Sequence, residues 1–107
     1  MSYFRETTHL SEIIEESNIE PVIIFKYSNI CNSSERLHNE FRQKIKEKKI
    51  NNPIYLVTVQ TEPVLSEKIA EMFGVKHESP QILILNKGKL TYTAHHYYIK
   101  PEKFVYQ

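Results

Sequence analysis

Short apolar runs and amphipathic segments alternate along the chain. Leu10, Ile13 and Ile14 have i, i+3, i+4 spacing, which predicts a helix over residues 8–18 with Thr8 as its N-cap. Pro21 interrupts that pattern, and Val22-Ile23-Ile24-Phe25 follows as four consecutive apolar residues. Such a run, rich in β-branched and aromatic types, suits a strand buried on both faces. Leu37, Phe41 and Ile45 then recur every four residues, one face of a helix from about 33 to 49. Asn51-Asn52-Pro53 reads as a loop before a second strand, Ile54–Val59.

Glu62-Pro63 opens a third helix, with Val64, Leu65, Ile69, Met72 and Phe73 expected on one side and Gly74 at the C-terminal cap. After His77-Glu78-Ser79-Pro80 comes a third strand, Gln81–Leu85. Asn86-Lys87-Gly88 reads as a hairpin loop with glycine at a positive-φ position, and Lys89–Ala94 as the fourth strand. Pro101 precedes a last short helix, Glu102–Tyr106, while residues 1–7 leave room for a short edge strand. Strands joined through helices are expected to run parallel and the hairpin pair antiparallel. The expectation is one α/β domain over residues 1–107, a mixed central sheet of about four strands flanked by helices.

Composition narrows the function classes. A hydrophobic share of 40% and a charged share of 25% are ordinary for a soluble globular chain, and 107 residues suffice for a core without staples. A net charge of +1 gives no general attraction to nucleic acid or to membranes. The basic stretch Arg42–Lys49 reads as a solvated helix face whose cations suit the helix C-terminus, because no aromatic platform accompanies it. No apolar run is long enough to span a bilayer, and Met1–Glu6 lacks the apolar region of a secretory signal. A cytoplasmic, reducing location is the expectation, in which a lone thiol stays free.

That thiol is Cys31, in Tyr27-Ser28-Asn29-Ile30-Cys31-Asn32-Ser33-Ser34-Glu35, and it is the chain's one cysteine. It falls at the carboxyl end of a buried strand and the amino end of a helix, the edge at which open α/β sheets bind ligands. Free N–H groups and the helix dipole favour an anion there and can bring a thiol from about 8.5 to roughly 3.5–7.5. The hydroxyls of Ser33 and Ser34 can add hydrogen bonds to a thiolate. The residues alone leave two readings open, a reactive thiol and a small inert filler. His38 lies seven residues on, about 10 Å along a helix axis, too far to act as a base for Cys31. His77 is on a loop that can approach it. No metal is expected: His95 and His96 are neighbours on a strand and should leave opposite faces, and one cysteine offers no C-x-x-C clamp.

The layout of strand, cysteine, helix and a proline opening the third strand resembles the thioredoxin fold. Cys31-Asn32-Ser33-Ser34 is a C-x-x-S, the monothiol form of its motif. With Ile24-Phe25-Lys26-Tyr27-Ser28, Gly74-Val75-Lys76-His77-Glu78-Ser79-Pro80-Gln81 and Ala94-His95-His96, the chain resembles the monothiol bacilliredoxins (the YtxJ-like group) over nearly its whole length.

The resemblance implies a thiol-disulfide oxidoreductase that removes bacillithiol from protein mixed disulfides. Cys31 would be the nucleophile, with Ser33 and Ser34 stabilising its thiolate. Ser79 and Pro80 would form a docking wall for extended substrate, bordered by Lys26, Tyr27 and His77. The Ser79–Pro80 bond, trans on base rates alone, would be cis by resemblance. No cofactor would be bound. Bacillithiol would be the co-substrate, and the partners would be bacillithiolated client proteins and a low-molecular-weight thiol. Asn32 departs from the family, which typically has proline after its cysteine. Two alternatives belong to other classes: a thioredoxin-fold adaptor without turnover, and an iron–sulfur carrier, for which Asn32-Ser33 replaces the Gly-Phe pair of such monothiol glutaredoxins.

Overall fold

The computed structural model describes residues 4–96 and 99. Its elements are α1 (Leu10–Ser17), β1 (Val22–Tyr27), α2 (Asn32–Lys46), β2 (Ile54–Thr58), α3 (Pro63–Phe73), β3 (Gln81–Asn86) and β4 (Lys89–His95). The expected helix Glu102–Tyr106 lies outside the described residues.

The strands form one sheet in the order β2-β1-β3-β4. β1 is central, and the alternation of its side chains builds two cores. Ile23 and Phe25 pack with Leu37 and Phe41 of α2, with Ile82 and Ile84, and with Phe4. Val22 and Ile24 face the other way, onto Ile13 of α1, Leu65 and Ile69 of α3, and Leu83 and Leu85. A strand with helices over both faces has no solvated side, so its sequence reads as a continuous apolar run. Burying such side chains contributes roughly 1.5–3 kcal/mol each, so this strand is the main anchor of the fold.

One directional expectation is corrected. β1 and β2 are parallel, but β3 is antiparallel to β1 although a helix connects it to β2. The cause is the segment after α3. Gly74 caps the helix in the left-handed region at φ 64°, and the N–H of Val75 donates to the carbonyl oxygen of Ala70. The chain then doubles back along α3, so that Nδ1 of His77 lies 3.2 Å from Oγ of Ser66 in the helix's first turn. β3 therefore starts at the end of the sheet where β2 stopped, with Gln81 paired to Lys26.

Smaller differences have local causes. The cap of α1 is His9, not Thr8, and Oγ1 of Thr7 instead accepts the N–H of His9. The hairpin loop is two residues, Lys87 at φ 53° and Gly88 at φ 77°, while Asn86 stays in the strand. Two consecutive left-handed residues match the twist of the flanking strands. Ser17 fastens this loop to α1, its hydroxyl oxygen accepting the N–H of Gly88 at 3.0 Å. On α3, Leu65 and Ile69 are buried, but Val64 and Met72 are mostly exposed and do not share the core face. The edge strand allowed for residues 1–7 amounts, among the described residues, to one parallel bridge between Arg5 and Tyr55. No helix among the described residues is long and apolar enough to cross a membrane.

Candidate active site

The site is built where β1 ends. Its last residue, Tyr27, is followed by a tight loop, Ser28–Ile30, and by Cys31, the N-cap of α2 in extended conformation (φ −112°, ψ 120°). The N–H of Cys31 donates to the carbonyl oxygen of Ser28 at 3.3 Å, and the N–H of Glu35 to the carbonyl oxygen of Cys31 at 3.1 Å. The second bond is the first of the helix, so the cysteine is fixed to the helix start by its own backbone. The thiol is partly exposed and unbridged.

The electrostatics favour a thiolate. The N–H of Ser34 is the largest influence holding the Cys31 thiol below its ordinary value. Partial burial works against it, and the Ser34 hydroxyl, the Ser33 N–H and the Ser33 hydroxyl add to it. These groups belong to the first turn of α2, where the free N–H donors and the dipole of a helix favour negative charge. Ser34 has a second task. Fully buried, its Oγ accepts the N–H of Ser28 at 3.2 Å, closing the loop onto the helix.

Gln60, which the sequence pattern did not single out, holds the loop from the other side. Its side-chain N–H donates to Oγ of Ser28 at 2.8 Å, and its oxygen accepts the N–H of Asn29 at 3.1 Å. It lies two residues past β2, the strand parallel to β1, and so at the same end of the sheet. A glutamine in a turn carries no local signal of this role.

The remaining candidates divide. Tyr27 faces α2: its hydroxyl donates to Glu35 at 3.1 Å and its ring packs on His38 at 5.3 Å. Ser79 and Pro80 are joined by a cis peptide bond. The carbonyl oxygen of Pro80 accepts the N–H of His96 at 3.1 Å, and the next residue, Gln81, pairs with Lys26 near the end of β1.

Lys26 is different. Its position suggested a residue bordering the ligand, but its side chain is 0% exposed. It alternates to the face opposite Tyr27, beneath α3, where Nζ donates to the carbonyl oxygen of Ser66 at 2.9 Å and lies 3.3 Å from Nδ1 of His77. Burial lowers its pKa to about 8. His77, itself exposed, covers this buried lysine from the solvent side and borders a hollow of about 320 Å³ with Val59, Pro63, Glu67 and Ala70. Desolvation, then the nearby charge of Lys26, hold His77 below its ordinary value, with Glu78 opposing. The loop that carries His77 is thus anchored on α3 through Ser66. His38, as expected, is spent elsewhere, ringed by Phe4, Phe25 and Tyr27.

The opposite-face argument for His95 and His96 does not hold. The strand ends at His95, and His96 takes a left-handed φ of 51°. Their Nδ1 atoms come within 3.3 Å.

Comparison with known proteins decides the family. The family model for the monothiol bacilliredoxin BrxC matches residues 3–104. The chain belongs to the monothiol bacilliredoxin family. Among solved structures, it is similar to a candidate oxidoreductase with a thioredoxin fold, at 25% identity and TM-score 0.77, over 89% of this chain and 84% of that one. It is also similar to Fasciola hepatica thioredoxin, at 16% identity and TM-score 0.68, over 86% of each chain. Malassezia sympodialis thioredoxin matches at 17% identity and TM-score 0.66, over 94% of this chain and 83% of that one. This bacilliredoxin therefore has the thioredoxin fold, and family and fold together make it a thiol oxidoreductase.

Proposed function

We infer that this bacilliredoxin removes bacillithiol from client proteins by thiol-disulfide exchange at Cys31. The Cys31 thiolate attacks the bacillithiol sulfur of a client mixed disulfide. A Cys31–bacillithiol disulfide forms as the old S–S bond breaks, and the client leaves as its thiolate. Ser34 stands three residues beyond Cys31, where a dithiol relative carries its resolving cysteine, and the chain has no other thiol. A second, external thiolate must therefore attack the bacillithiol sulfur of that adduct. Free bacillithiol is the reductant proposed, yielding bacillithiol disulfide and the regenerated Cys31 thiolate.

The observation that carries this reading is the single, partly exposed thiol at the first turn of α2, held below its ordinary pKa by the N–H of Ser34. A lower pKa puts more of the thiol in its nucleophilic form. Ser79 and Pro80 are proposed as the wall against which the client chain lies, with Tyr27 at its border. Lys26, fully buried, supports that wall from beneath, and His77, exposed three residues before Pro80, is proposed to border it.

Intact-mass spectrometry after exposure to a bacillithiolated protein tests the reading. The expected result is one bacillithiol adduct on the wild-type chain, none on Cys31→Ala, and release of the client thiol. Wild-type protein that leaves the mixed disulfide intact overturns it.

A further inference from the structure

Glu78, His95 and His96 converge beside the Ser79–Pro80 bond. One ligand atom from each lies within 4.8 Å of the others. Three separate constraints bring them together. His95 ends β4, paired with Gln81 of β3. The N–H of His96 is held by the carbonyl oxygen of Pro80, and its φ of 51° turns its ring back toward that of His95. Glu78, two residues before Pro80, reaches His96 from the other strand's approach, with Oε1 3.7 Å from Nδ1.

The spacing is that of a ligand set. The two Nδ1 atoms are 3.3 Å apart, with the rings crossed at 81°. Two imidazole nitrogens bound to one ion at about 2.0–2.1 Å in tetrahedral geometry stand about 3.3–3.4 Å apart. Two neutral imidazoles cannot both present lone pairs at that separation. Either a proton or a cation must lie between them. The Glu78 carboxylate adds the negative charge that offsets part of a divalent ion. Its other oxygen, Oε2, faces Nζ of Lys76 at 4.0 Å, and that lysine side chain is 89% exposed. The ion pair therefore leaves Oε1 directed at the imidazoles, and the lysine can swing into water. Glu78 itself is only 23% exposed, which limits competition by solvent.

We propose that Glu78, His95 and His96 bind one Zn²⁺ ion, through two imidazole nitrogens and a carboxylate, with a fourth position left to water. Two nitrogens and one oxygen are a zinc set with an open place. The bound ion ties the residues before Pro80 to the end of β4, and so braces the two sides of the same wall. Metal binding here needs no thiol chemistry at Cys31.

Competition titration of the reduced, metal-free chain with Zn²⁺ against a chromophoric chelator tests the site, in the wild type and in Cys31→Ser. The expected result is one Zn²⁺ per chain in both. His96→Ala and His95→Gln should each weaken binding by more than the roughly 10–100-fold that loss of a merely supporting group can cost. Glu78→Gln should weaken it as well. Co²⁺ in the Cys31→Ser chain should give the visible bands of a low-coordinate site without thiolate charge transfer. No stoichiometric binding to the wild type, binding lost in Cys31→Ser, or binding unchanged in His96→Ala would each overturn the site.

Discussion

The ammonium of Lys26 donates to the carbonyl oxygen of Ser66 across 2.9 Å, inside the protein. This places a charge-bearing group between the central strand and the first turn of α3, with His77 as its other neighbour. Desolvation lowers its pKa from 10.5 to about 8. The unfolded chain therefore holds a proton that the folded chain has lost between those values. Stability should be lowest relative to its ceiling below pH 8, and should rise as pH is raised from about 8 toward 9.5. The full shift corresponds to roughly 3 kcal/mol. Lys26→Met should remove this rise and leave the protein at least as stable at pH 7, since an apolar side chain carries no desolvation cost. Urea unfolding at pH 7, 8 and 9 reads both effects. A wild-type stability flat across that range would contradict the assignment.

Ser34 links reactivity to loop geometry, so its removal should change both. Ser34→Ala keeps the backbone N–H, the largest influence on Cys31, but loses the hydroxyl and leaves the Ser28 N–H without its acceptor. The thiol pKa should rise, though not to the value of a free cysteine, and stability should fall by about 1–3 kcal/mol for a buried donor left unpaired. Ser33→Ala should shift the thiol less and cost little stability. The pH dependence of iodoacetamide alkylation, followed by intact mass, ranks the two variants. Equal shifts in both would show that the buried hydroxyl has no special part.

Much of this architecture was legible in the sequence because it rests on local rules. Leu37, Phe41 and Ile45 marked the face of α2 by spacing, Gly74 marked its neighbour's end, and Cys31 lay at a strand-to-helix junction. What escaped depends on contacts distant in sequence. Lys26 reads as a residue bordering the ligand until the reversed segment after α3 is laid over it. Its partners are 40 and 51 residues away. The same reversal turned β3 antiparallel, which no rule about helical connections contains. His95 and His96 were assigned to opposite faces on the assumption that the strand continued. A single left-handed residue undid that.

Gln60 offers a test of whether the loop before Cys31 must be held. Gln60→Ala removes the acceptor of the Asn29 N–H and the donor to Ser28 Oγ. Two neutral hydrogen bonds contribute about 1–3 kcal/mol together. The variant should keep its fold, while the amides of residues 29 and 30 exchange faster and thiol exchange at Cys31 slows. Hydrogen exchange resolved by NMR shows the loosening directly. Unchanged protection at Asn29 would mean that Ser34 alone fixes the loop.

His38 should make the protein acid-sensitive. Its Nδ1 is buried without a hydrogen-bond partner, among three aromatic rings. Desolvation holds its pKa below 6.5, with Arg42 acting in the same direction and Glu35 opposing. A histidine with a depressed folded pKa stabilises the folded chain above its unfolded pKa, and that contribution is lost as pH falls below about 6.5. His77 behaves alike. His38→Phe fits the aromatic surroundings and removes the orphaned nitrogen. It should raise stability by up to about 1 kcal/mol at pH 7. It should also shallow the fall in Tm between pH 7 and pH 5. A fall as steep as in the wild type would assign the acid sensitivity to His77.

Asn32 stands where the resemblance to the monothiol bacilliredoxins implies a proline, and its position states what that difference can change. It is the first residue of α2, directly after the N-cap. The N–H at this position has no partner within the helix, and proline's fixed φ suits it. Asn32→Pro should therefore fold normally, with stability unchanged or raised by about 0.4–1 kcal/mol through a less flexible unfolded chain. The donors that lower the Cys31 pKa come from Ser34 and Ser33, not from Asn32. The alkylation pKa should thus move little. Any change in the rate of exchange with a bacillithiol disulfide would then arise from access to the thiol, or from contacts with the incoming disulfide. Measuring both quantities on one variant separates the two causes. A large shift in the alkylation pKa would show instead that Asn32 helps to set the charge on Cys31.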